Sequence, residues 1–428
     1  MSSLAEITTL GGAGAAGDSL SKIFIARQPI LDMQQKVYGY ELLFRSGLEN
    51  AFRSAEPNQA SAKVMTDGTL ILSMEAISDG KLAFINITRD ILLNDYISLL
   101  PRGLTAAEIP ETIEPGPEII SACSRLKEAG YILVLDDFVY GEQYADLMSL
   151  ADIVKVDFLS TSAEERRQVL SRFKAPKVRF LAEKVETHEV FQQAVSLGYT
   201  YFQGDFFSKP VIISSRDVPG FKLNYLHMLQ ELQWPDVNFP RLEGIVKRDM
   251  ALSFKLLRYI NSAYFGLSNK VSSIMHAIRL LGPRQFKQWA SLLVMASMGS
   301  DKPDELVVRA LIRGRFCESL APILGMKQQS QELFLLGMFS AIDAILGRPL
   351  EEILKDLPLS DDIKDALCGK PNRLRAVFDY ALAYEKGDWD GLSAKADALG
   401  LDESGIPAVY LAAVHWAKRS FGEATAAR

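Results

Sequence analysis

The chain has 428 residues, more than one hydrophobic core usually serves, so two domains are the natural expectation. Its formal net charge of −6 gives no global basic field, so neither DNA nor an anionic membrane surface is an expected partner. The three cysteines are widely spaced, and no apolar run approaches the roughly 18 residues that cross a bilayer. These features indicate a cytoplasmic protein with reduced thiols.

The first segment, 1–21, is rich in glycine, alanine and serine, and we expect it to be a flexible tail. After it, strand-like and helix-like runs alternate from Phe24 to about Pro210. The strand candidates are short and rich in β-branched or aromatic residues, and several are apolar throughout, as strands covered on both faces should be. They lie at 24–30, 36–43, 82–87, 104–109, 131–136, 152–156, 178–182 and 199–204.

Polar side chains recur at the ends of these strand candidates. Alternating strands and helices predict a (β/α) barrel or a doubly wound sheet, and polar residues ending nearly every strand favour the barrel. In a barrel of parallel strands the C-terminal ends converge on one face, so residues far apart in sequence meet there. The polar residues are Glu41, Arg45, Asn86, Glu108, Glu111, Asp136, Asp137, Lys155, Asp157, Glu183, Glu186 and Gln203.

Most of these side chains carry carboxylate or amide oxygens, which suit Mg²⁺ or Mn²⁺. Two such ions can clamp an in-line phosphoryl displacement and generate hydroxide from bound water. The adjacent acids Asp136 and Asp137 can each bind a different ion if the strand ends between them. Lys155 can stabilise negative charge on a phosphate. Each residue alone has a simpler interpretation, because a strand-end aspartate often caps the next helix. Their joint placement predicts a metal site.

The hydrophobic pattern of the sequence changes at about Val211, and from there apolar residues recur at the spacing of a helix. Gly282 followed by Pro283 indicates that one helix ends and another begins. We place the boundary within 211–222 and predict a barrel domain over 22–215 and an all-α domain over 216–428.

The polar motifs in the first half follow one another in the same order as those of a known protein family. The runs QPI, GYELLFR, NIT, EIPE, LDDF, KVD, AEKVE and QGDFFSKP follow one another over about residues 22–210. This set is similar to that of EAL domains, which are cyclic-di-GMP phosphodiesterases built on a modified TIM barrel. The resemblance implies a two-metal site, with Mg²⁺ or Mn²⁺, that takes cyclic-di-GMP.

The resemblance also implies a role for each matching residue. The implied metal ligands are Glu41, Asn86, Glu108, Asp136 and Asp137. The implied catalytic or water-supporting residues are Lys155, Glu183 and Glu186. The implied ligand contacts are Arg45, which matches a contact to a substrate phosphate, together with Gln203 and Gln28. Glu111 matches a glutamate that supports the loop after the Asp-Asp strand.

Several positions depart from the family pattern. The signature reads ELL, with Leu42 beside the ligand, and Pro110 replaces a threonine. Val139 and Lys184 replace glycines. Because glycine supplies backbone freedom, we expect Val139 in its loop and Lys184, a bulky cation beside Glu183, to weaken catalysis more than binding.

The segment IVKRDMALSFKLLRYINSAYFGLSNKVSSIMHAIRLLG resembles the HDOD domain, which is related to HD phosphohydrolases without their His-Asp metal dyad. The chain agrees, because none of its four histidines is followed by aspartate. This resemblance implies a module that binds signalling proteins, and it leaves a homodimer open.

Two functions that involve cyclic-di-GMP stay open from the sequence, beside an unrelated barrel activity or a purely structural role. In the first, the barrel binds cyclic-di-GMP and metal with weak or lost hydrolysis, and the HDOD domain delivers the output by protein interaction. In the second, the barrel is an active phosphodiesterase that produces linear pGpG.

Overall fold

The computed structural model describes most of both halves of the chain. The described residues are 24–45, 74–136, 144–172, 178–208, 238–247, 253, 256–257, 259–261, 265, 271–298, 302–357 and 359–425. The predicted tail at 1–21, the predicted boundary at 211–222, and residues Asp137 and Val139 lie outside the described residues.

Eight strands close into a barrel, which confirms the predicted α/β fold of the first half. Their bounds agree with the predicted strands to within two residues. The strands are β1 (Ile25–Asp32), β2 (Val37–Phe44), β3 (Leu82–Asn86), β4 (Thr105–Pro110), β5 (Ile132–Asp136), β6 (Ile153–Asp157), β7 (Arg179–Glu183) and β8 (Tyr201–Gln203). Strands β2 to β8 pair in parallel with their neighbours, whereas β1 is antiparallel to both β2 and β8.

The direction of β1 follows from the short connection to β2. A parallel pair needs a crossover of about a dozen residues, and the connection 33–36 is far too short for one. Asp32 Oδ1 accepts the N–H groups of Gln34 and Lys36, each at 2.9 Å, and Gln35 adopts a left-handed φ of 58°. These contacts fix a tight turn, so β1 and β2 form a hairpin inside an otherwise parallel barrel.

Helices follow most of the parallel strands. They are α1 (Arg89–Leu93), α2 (Pro117–Glu128), α3 (Ala145–Leu150), α4 (Ala163–Arg172) and α5 (His188–Leu197). Helix α5 shows how their ends are fixed: Thr187 caps its first turn by accepting the N–H of Val190, and Gly198 ends it at a φ of 103°. Phe191 and Ala194 of this helix are buried.

The lower part of the barrel interior is apolar. One residue from each of six strands forms a buried layer: Ile30, Phe84, Ala106, Val134, Ile153 and Leu181. Strand β2 contributes Gly39 near this level, where a Cβ atom would lie 2.9 Å from the Phe84 ring. The glycine therefore makes room for a large side chain, and the base of the barrel is closed to water.

The described part of the second half is all-α, as predicted. Its helices are α6 (Phe239–Lys247), α7 (Ile274–Met298), α8 (Asp304–Ile323), α9 (Ser330–Phe339), α10 (Ile342–Leu346), α11 (Leu350–Asp356), α12 (Asp361–Leu367), α13 (Arg373–Lys386), α14 (Trp389–Leu399) and α15 (Ile406–Thr425). Helix α7 is broken at Gly282, whose φ of 70° and ψ of 170° are non-helical, and Pro283 follows. The predicted helix end at this dipeptide is therefore confirmed.

The chain divides into two compact units. The first comprises Met1–Phe206 together with Leu382–Ala412, and the second comprises Phe207–Ala381 together with Ala413–Arg428. The domain limits 22–215 and 216–428 stay a prediction. Among the helices described above, none is long and apolar enough to cross a membrane.

Helices α8 and α9 cross with their backbones in direct contact. A Cβ atom on Gly337 would lie 2.6 Å from the backbone nitrogen of Gly314, and one on Gly314 would lie 2.8 Å from the Phe334 carbonyl oxygen. Neither glycine can accept a side chain unless the helices separate.

We therefore expect Gly337→Ala to lower the free energy of unfolding by about 1–3 kcal/mol, because overpacking forces backbone shifts. The matched control is Gly244→Ala in α6, where a Cβ atom meets nothing within 4 Å. In an open helical position alanine is favoured by up to about 1 kcal/mol. Denaturant unfolding of both variants measures the difference, and equal stability of Gly337→Ala and the wild type would contradict the close crossing.

Candidate functional site

A polar layer lies directly above the apolar layer of the barrel. Side chains alternate between the two faces of a strand, so the residue two positions further along a parallel strand faces the interior one level higher. In every parallel strand that contributes to the apolar layer, this residue is polar. The pairs are Phe84 with Asn86, Ala106 with Glu108, Val134 with Asp136, Ile153 with Lys155, and Leu181 with Glu183. The antiparallel strand β1 obeys the same rule in reverse, with Gln28 two positions before Ile30.

The Lys155 ammonium lies among four carboxylates in this polar layer. Its Nζ is 2.8 Å from Glu108, 2.9 Å from Asp136, 2.8 Å from Glu183 and 3.8 Å from Glu41. The Lys155 side chain is 1% exposed and the Glu108 side chain is fully buried. Four carboxylates facing one ammonium leave three formal negative charges in a largely buried cluster, which we call the acid cluster.

The acid cluster shifts the pKa values of its members. Burial alone would lower the pKa of Lys155, but the Glu108, Glu41, Glu183 and Asp136 carboxylates together raise it well above its usual range, so the ammonium stays charged. Burial raises the pKa of Glu108 well above its usual range despite the attraction of Lys155. Burial likewise raises the pKa of Glu183 to about 8, again against the pull of Lys155. One ammonium therefore does not fully compensate the acids.

A chain of amide contacts extends the acid cluster toward β1. Asn86 Nδ2 donates to Glu41 Oε1 at 3.1 Å, and Gln203 Nε2 donates to Glu41 Oε2 at 2.5 Å. The same Gln203 nitrogen lies 3.1 Å from Gln28 Oε1. The structure thus brings together eight of the predicted site residues: Gln28, Glu41, Asn86, Glu108, Asp136, Lys155, Glu183 and Gln203.

Three predicted site residues lie outside the acid cluster, and a fourth is not among the described residues. Arg45 follows the end of β2 and contacts Ser393 and Glu403. Glu186 is exposed in the turn after β7, and Glu111 is exposed in the turn after β4. Asp137 lies outside the described residues. The carboxylates of Glu111 and Glu186 are therefore not part of the buried polar layer.

The structure corrects the interpretation of Lys184. The sequence predicts a cation beside Glu183, but Lys184 Nζ donates to Asp157 Oδ2 at 2.7 Å. Asp157 Oδ1 also accepts the N–H groups of Leu159 at 2.6 Å and Ser160 at 3.2 Å. Burial would raise the Asp157 pKa, but these donors and the Lys184 ammonium lower it. Lys184 therefore ties the end of β7 to the end of β6, a contact that sequence reasoning missed.

The donors of the acid cluster fit a divalent cation. As placed, the acidic, histidine and cysteine side chains of the described ranges form no ready-made set of three ligands for a metal ion. However, the only cation against the buried Glu108 among the described residues is Lys155, which lies 2.8 Å from Oε1, and Glu108 Oε2 accepts no hydrogen bond from those residues. A buried carboxylate oxygen without a donor, in a cluster with excess negative charge, matches the hard oxygen ligands that Mg²⁺ and Mn²⁺ prefer.

Two known proteins are similar to this chain over nearly the whole length of both. The model of the HDOD domain matches residues 218–348. The uncharacterized protein YuxH of Bacillus subtilis is 37% identical over 404 residues, covering 92% of this chain and 98% of YuxH. The cyclic di-GMP phosphodiesterase CdgJ of Vibrio cholerae is 35% identical over 404 residues, covering 94% of each. Among solved structures, a standalone EAL protein of Vibrio cholerae O395 is 23% identical, with a TM-score of 0.32, 44% of this chain covered and 92% of that one.

A closed barrel with a polar end layer, followed by a helical region that matches the HDOD model, defines a two-domain class of protein. Two relatives above 30% identity extend over nearly the whole chain. The chain belongs to the EAL–HDOD family of bacterial signalling proteins.

The Lys155 contacts predict a large effect on stability. We expect Lys155→Met to lower the free energy of unfolding by about 3–5 kcal/mol at neutral pH, because it leaves buried carboxylates without their cation. Lys127→Met is the matched control, since Lys127 pairs with Asp152 at the surface and such pairs contribute about 0–1 kcal/mol. Thermal and denaturant unfolding in the presence of a chelator compare the two. Similar losses in both variants would mean that the acid cluster does not depend on Lys155.

Lys184 offers a second test, because its φ of 50° is left-handed. Lys184→Ala keeps the strained backbone and loses the Asp157 contact, whereas Lys184→Gly loses the contact but relieves the strain. Because the left-handed conformation costs a non-glycine residue about 1–2 kcal/mol, we expect the glycine variant to be more stable than the alanine variant by about 1 kcal/mol. Denaturant unfolding of both variants measures this, and a more stable alanine variant would exclude the left-handed backbone.

Proposed function

We propose that the barrel is a cyclic-di-GMP phosphodiesterase that uses Mg²⁺ or Mn²⁺ and releases linear pGpG. The acid cluster is the observation that carries the proposal, because its excess negative charge and the Glu108 Oε2 atom without a donor favour the binding of cations. The relative CdgJ, named as a cyclic di-GMP phosphodiesterase and similar over nearly its whole length, supports the substrate.

The residues that would hold the cations are the acids and the asparagine of the polar layer. Glu41, Asn86, Glu108 and Asp136 supply oxygen ligands from four adjacent strands, and the resemblance adds Asp137. Bound cations would lower the pKa of a water ligand and offset charge on the phosphate during displacement.

The protein's own groups have separate roles in this reaction. Lys155 stays charged, and its Nζ contacts carboxylates from β2, β4, β5 and β7, so it orients the ligands and stabilises phosphate charge. Glu183, 2.8 Å from Lys155, is the carboxylate that takes the proton of the attacking water. A bond forms between the water oxygen and phosphorus, the bond from phosphorus to the ribose oxygen breaks, and that oxygen takes up a proton from solvent. Asn86, Gln203 and Gln28 fix the orientation of Glu41 and of one another.

The second candidate is a receptor that binds cyclic-di-GMP with weak or lost hydrolysis. One observation favours it: Glu186, which the resemblance assigns to catalysis, is exposed outside the acid cluster. In this function the HDOD domain would bind signalling proteins directly and so transmit whether the barrel holds its ligand, and the protein would act as a monomer or a homodimer.

Hydrolysis and binding measured on the same variants separate the two candidates. We expect turnover of cyclic-di-GMP with Mg²⁺ or Mn²⁺, and a loss of at least about 100-fold in Glu41→Ala, because removing one electrostatic contact at a reacting centre has effects of that size. Glu164→Ala, an exposed acid on α4, is the matched control and should retain full turnover.

Calorimetric titration of the dinucleotide completes this test. Binding without turnover in the wild type would replace the phosphodiesterase with the receptor. Failure of the wild type both to bind and to cleave would remove both candidates.

A further inference from the structure

Part of the C-terminal half of the chain packs against the β1–β2 hairpin within the same compact unit. We call this part, Leu382–Ala412, the C-terminal segment. Phe24, directly before β1, anchors it through aromatic contacts with Tyr384 at 5.9 Å and Trp389 at 6.3 Å between ring centroids. Tyr384 in turn lies 4.5 Å from Tyr410 and is fully buried. The segment is therefore held by a packed aromatic group rather than by isolated polar contacts.

The segment lies along one face of the hairpin. Residues two apart on a strand share a face, so Glu41 and Leu43 lie on one face of β2, and Arg45 directly follows the strand. Gln28 is the partner of Glu41 across the hairpin, and the Arg45 N–H donates to the Phe24 carbonyl oxygen at 3.2 Å. Arg45 thus comes four residues, or about 13 Å of extended chain, after Glu41, at the rim above the cluster.

The C-terminal segment contacts this side of the hairpin at Gln28, Leu43 and Arg45. Gln28 Nε2 donates to the Lys386 carbonyl oxygen at 3.2 Å. A Cβ atom on Gly387 would lie 2.7 Å from Leu43 Cδ1, so the backbone there is pressed against the hairpin. At the rim, one terminal nitrogen of Arg45 donates to Ser393 Oγ and to Glu403 Oε2, the latter at 3.0 Å.

Among the described residues, the polar side-chain contacts of Arg45 use one nitrogen of its guanidinium. The flat face of the guanidinium lies 4.6 Å from the Phe24 ring centroid, and the contacts with Ser393 and Glu403 both go to Nη2. A guanidinium carries five N–H donors in a rigid fork, so the donors on Nε and Nη1 keep a defined direction. The Arg45 and Glu403 side chains are 23% and 21% exposed, which leaves the group accessible at the rim.

We infer that Ser393 and Glu403 are positioning residues of the dinucleotide site, and that the C-terminal segment forms one wall of it. They hold Arg45 so that its remaining donors meet a phosphate of a ligand whose other phosphate lies at the acid cluster. The inference rests on the proposed function, because that function supplies the ligand. It adds residues far outside the barrel motifs, and it makes a barrel ending near residue 215 an incomplete site.

Single variants of the full chain test the inference through affinity. We expect Glu403→Gln and Ser393→Ala each to weaken binding of cyclic-di-GMP by about five- to tenfold, the size of one lost charge-assisted contact. Ser393→Thr keeps the hydroxyl group and should bind like the wild type. Asp390→Asn removes the same charge as Glu403→Gln from the same segment, at an exposed position whose carboxylate forms no ion pair with Arg45, so it should also leave affinity unchanged. If the protein turns over the dinucleotide, the KM rises while kcat changes little.

A double-mutant cycle shows whether the effect passes through Arg45. In an Arg45→Ala background, Glu403→Gln should have no further effect on affinity. An additive loss would overturn the inference, because it would mean that Glu403 acts by another route. Tighter binding by Glu403→Gln would also overturn it, since the segment would then compete with the phosphate. A wild type that fails to bind the dinucleotide would instead remove the proposed function, and the inference with it.

Discussion

The contact of the Lys155 ammonium with four carboxylates is the interaction on which the rest of the site depends. Charges taken out of water are costly unless they are paired, and Glu108 is buried completely. Lys155 reaches acids that come from β2, β4, β5 and β7, so one side chain sets the relative positions of four strand ends. It remains charged because those same acids raise its pKa. The cluster is therefore ordered by attraction but left with an excess of negative charge, which is the condition that favours binding a cation.

The alternation of side chains in the strands connects this charge to the stability of the barrel. The step of two residues that places Ile153 in the apolar layer places Lys155 in the polar layer, and other strands repeat it. The lower layer excludes water from beneath the acids, so the electrostatic interactions above it are stronger than they would be at a surface. Stability comes from the base of the barrel, whereas its upper end carries an electrostatic cost. Such a division is common where a fold must hold reactive groups in place.

Much of this arrangement could be predicted from the sequence, because strand ends in a barrel meet on one face. The eight strands were predicted to within two residues, and eight of the site residues are indeed in contact. The reversed direction of β1 was not predicted, although five residues between two strand candidates are too few for a parallel crossover. The contact of Lys184 with Asp157 is not predicted either, for a different reason. A family comparison shows that a glycine is lost, but only the three-dimensional contact with Asp157 shows where the new side chain goes.

The C-terminal segment illustrates a limit that no motif comparison within the barrel could overcome. Arg45 and Glu403 are 358 positions apart, and the barrel motifs end near residue 210. Nothing in the local sequence around Glu403 indicates a partner, because an exposed-looking glutamate after a helix is usually only solvated. The contact arises because the segment packs on Phe24 and its aromatic neighbours, and that packing brings Ser393 and Glu403 to the rim. The effect of replacing a family residue in the barrel therefore depends also on the contacts that other parts of the same chain make with the barrel. In this barrel Lys184 replaces a glycine beside Glu183, but Ser393 and Glu403 of the C-terminal segment hold Arg45 in place.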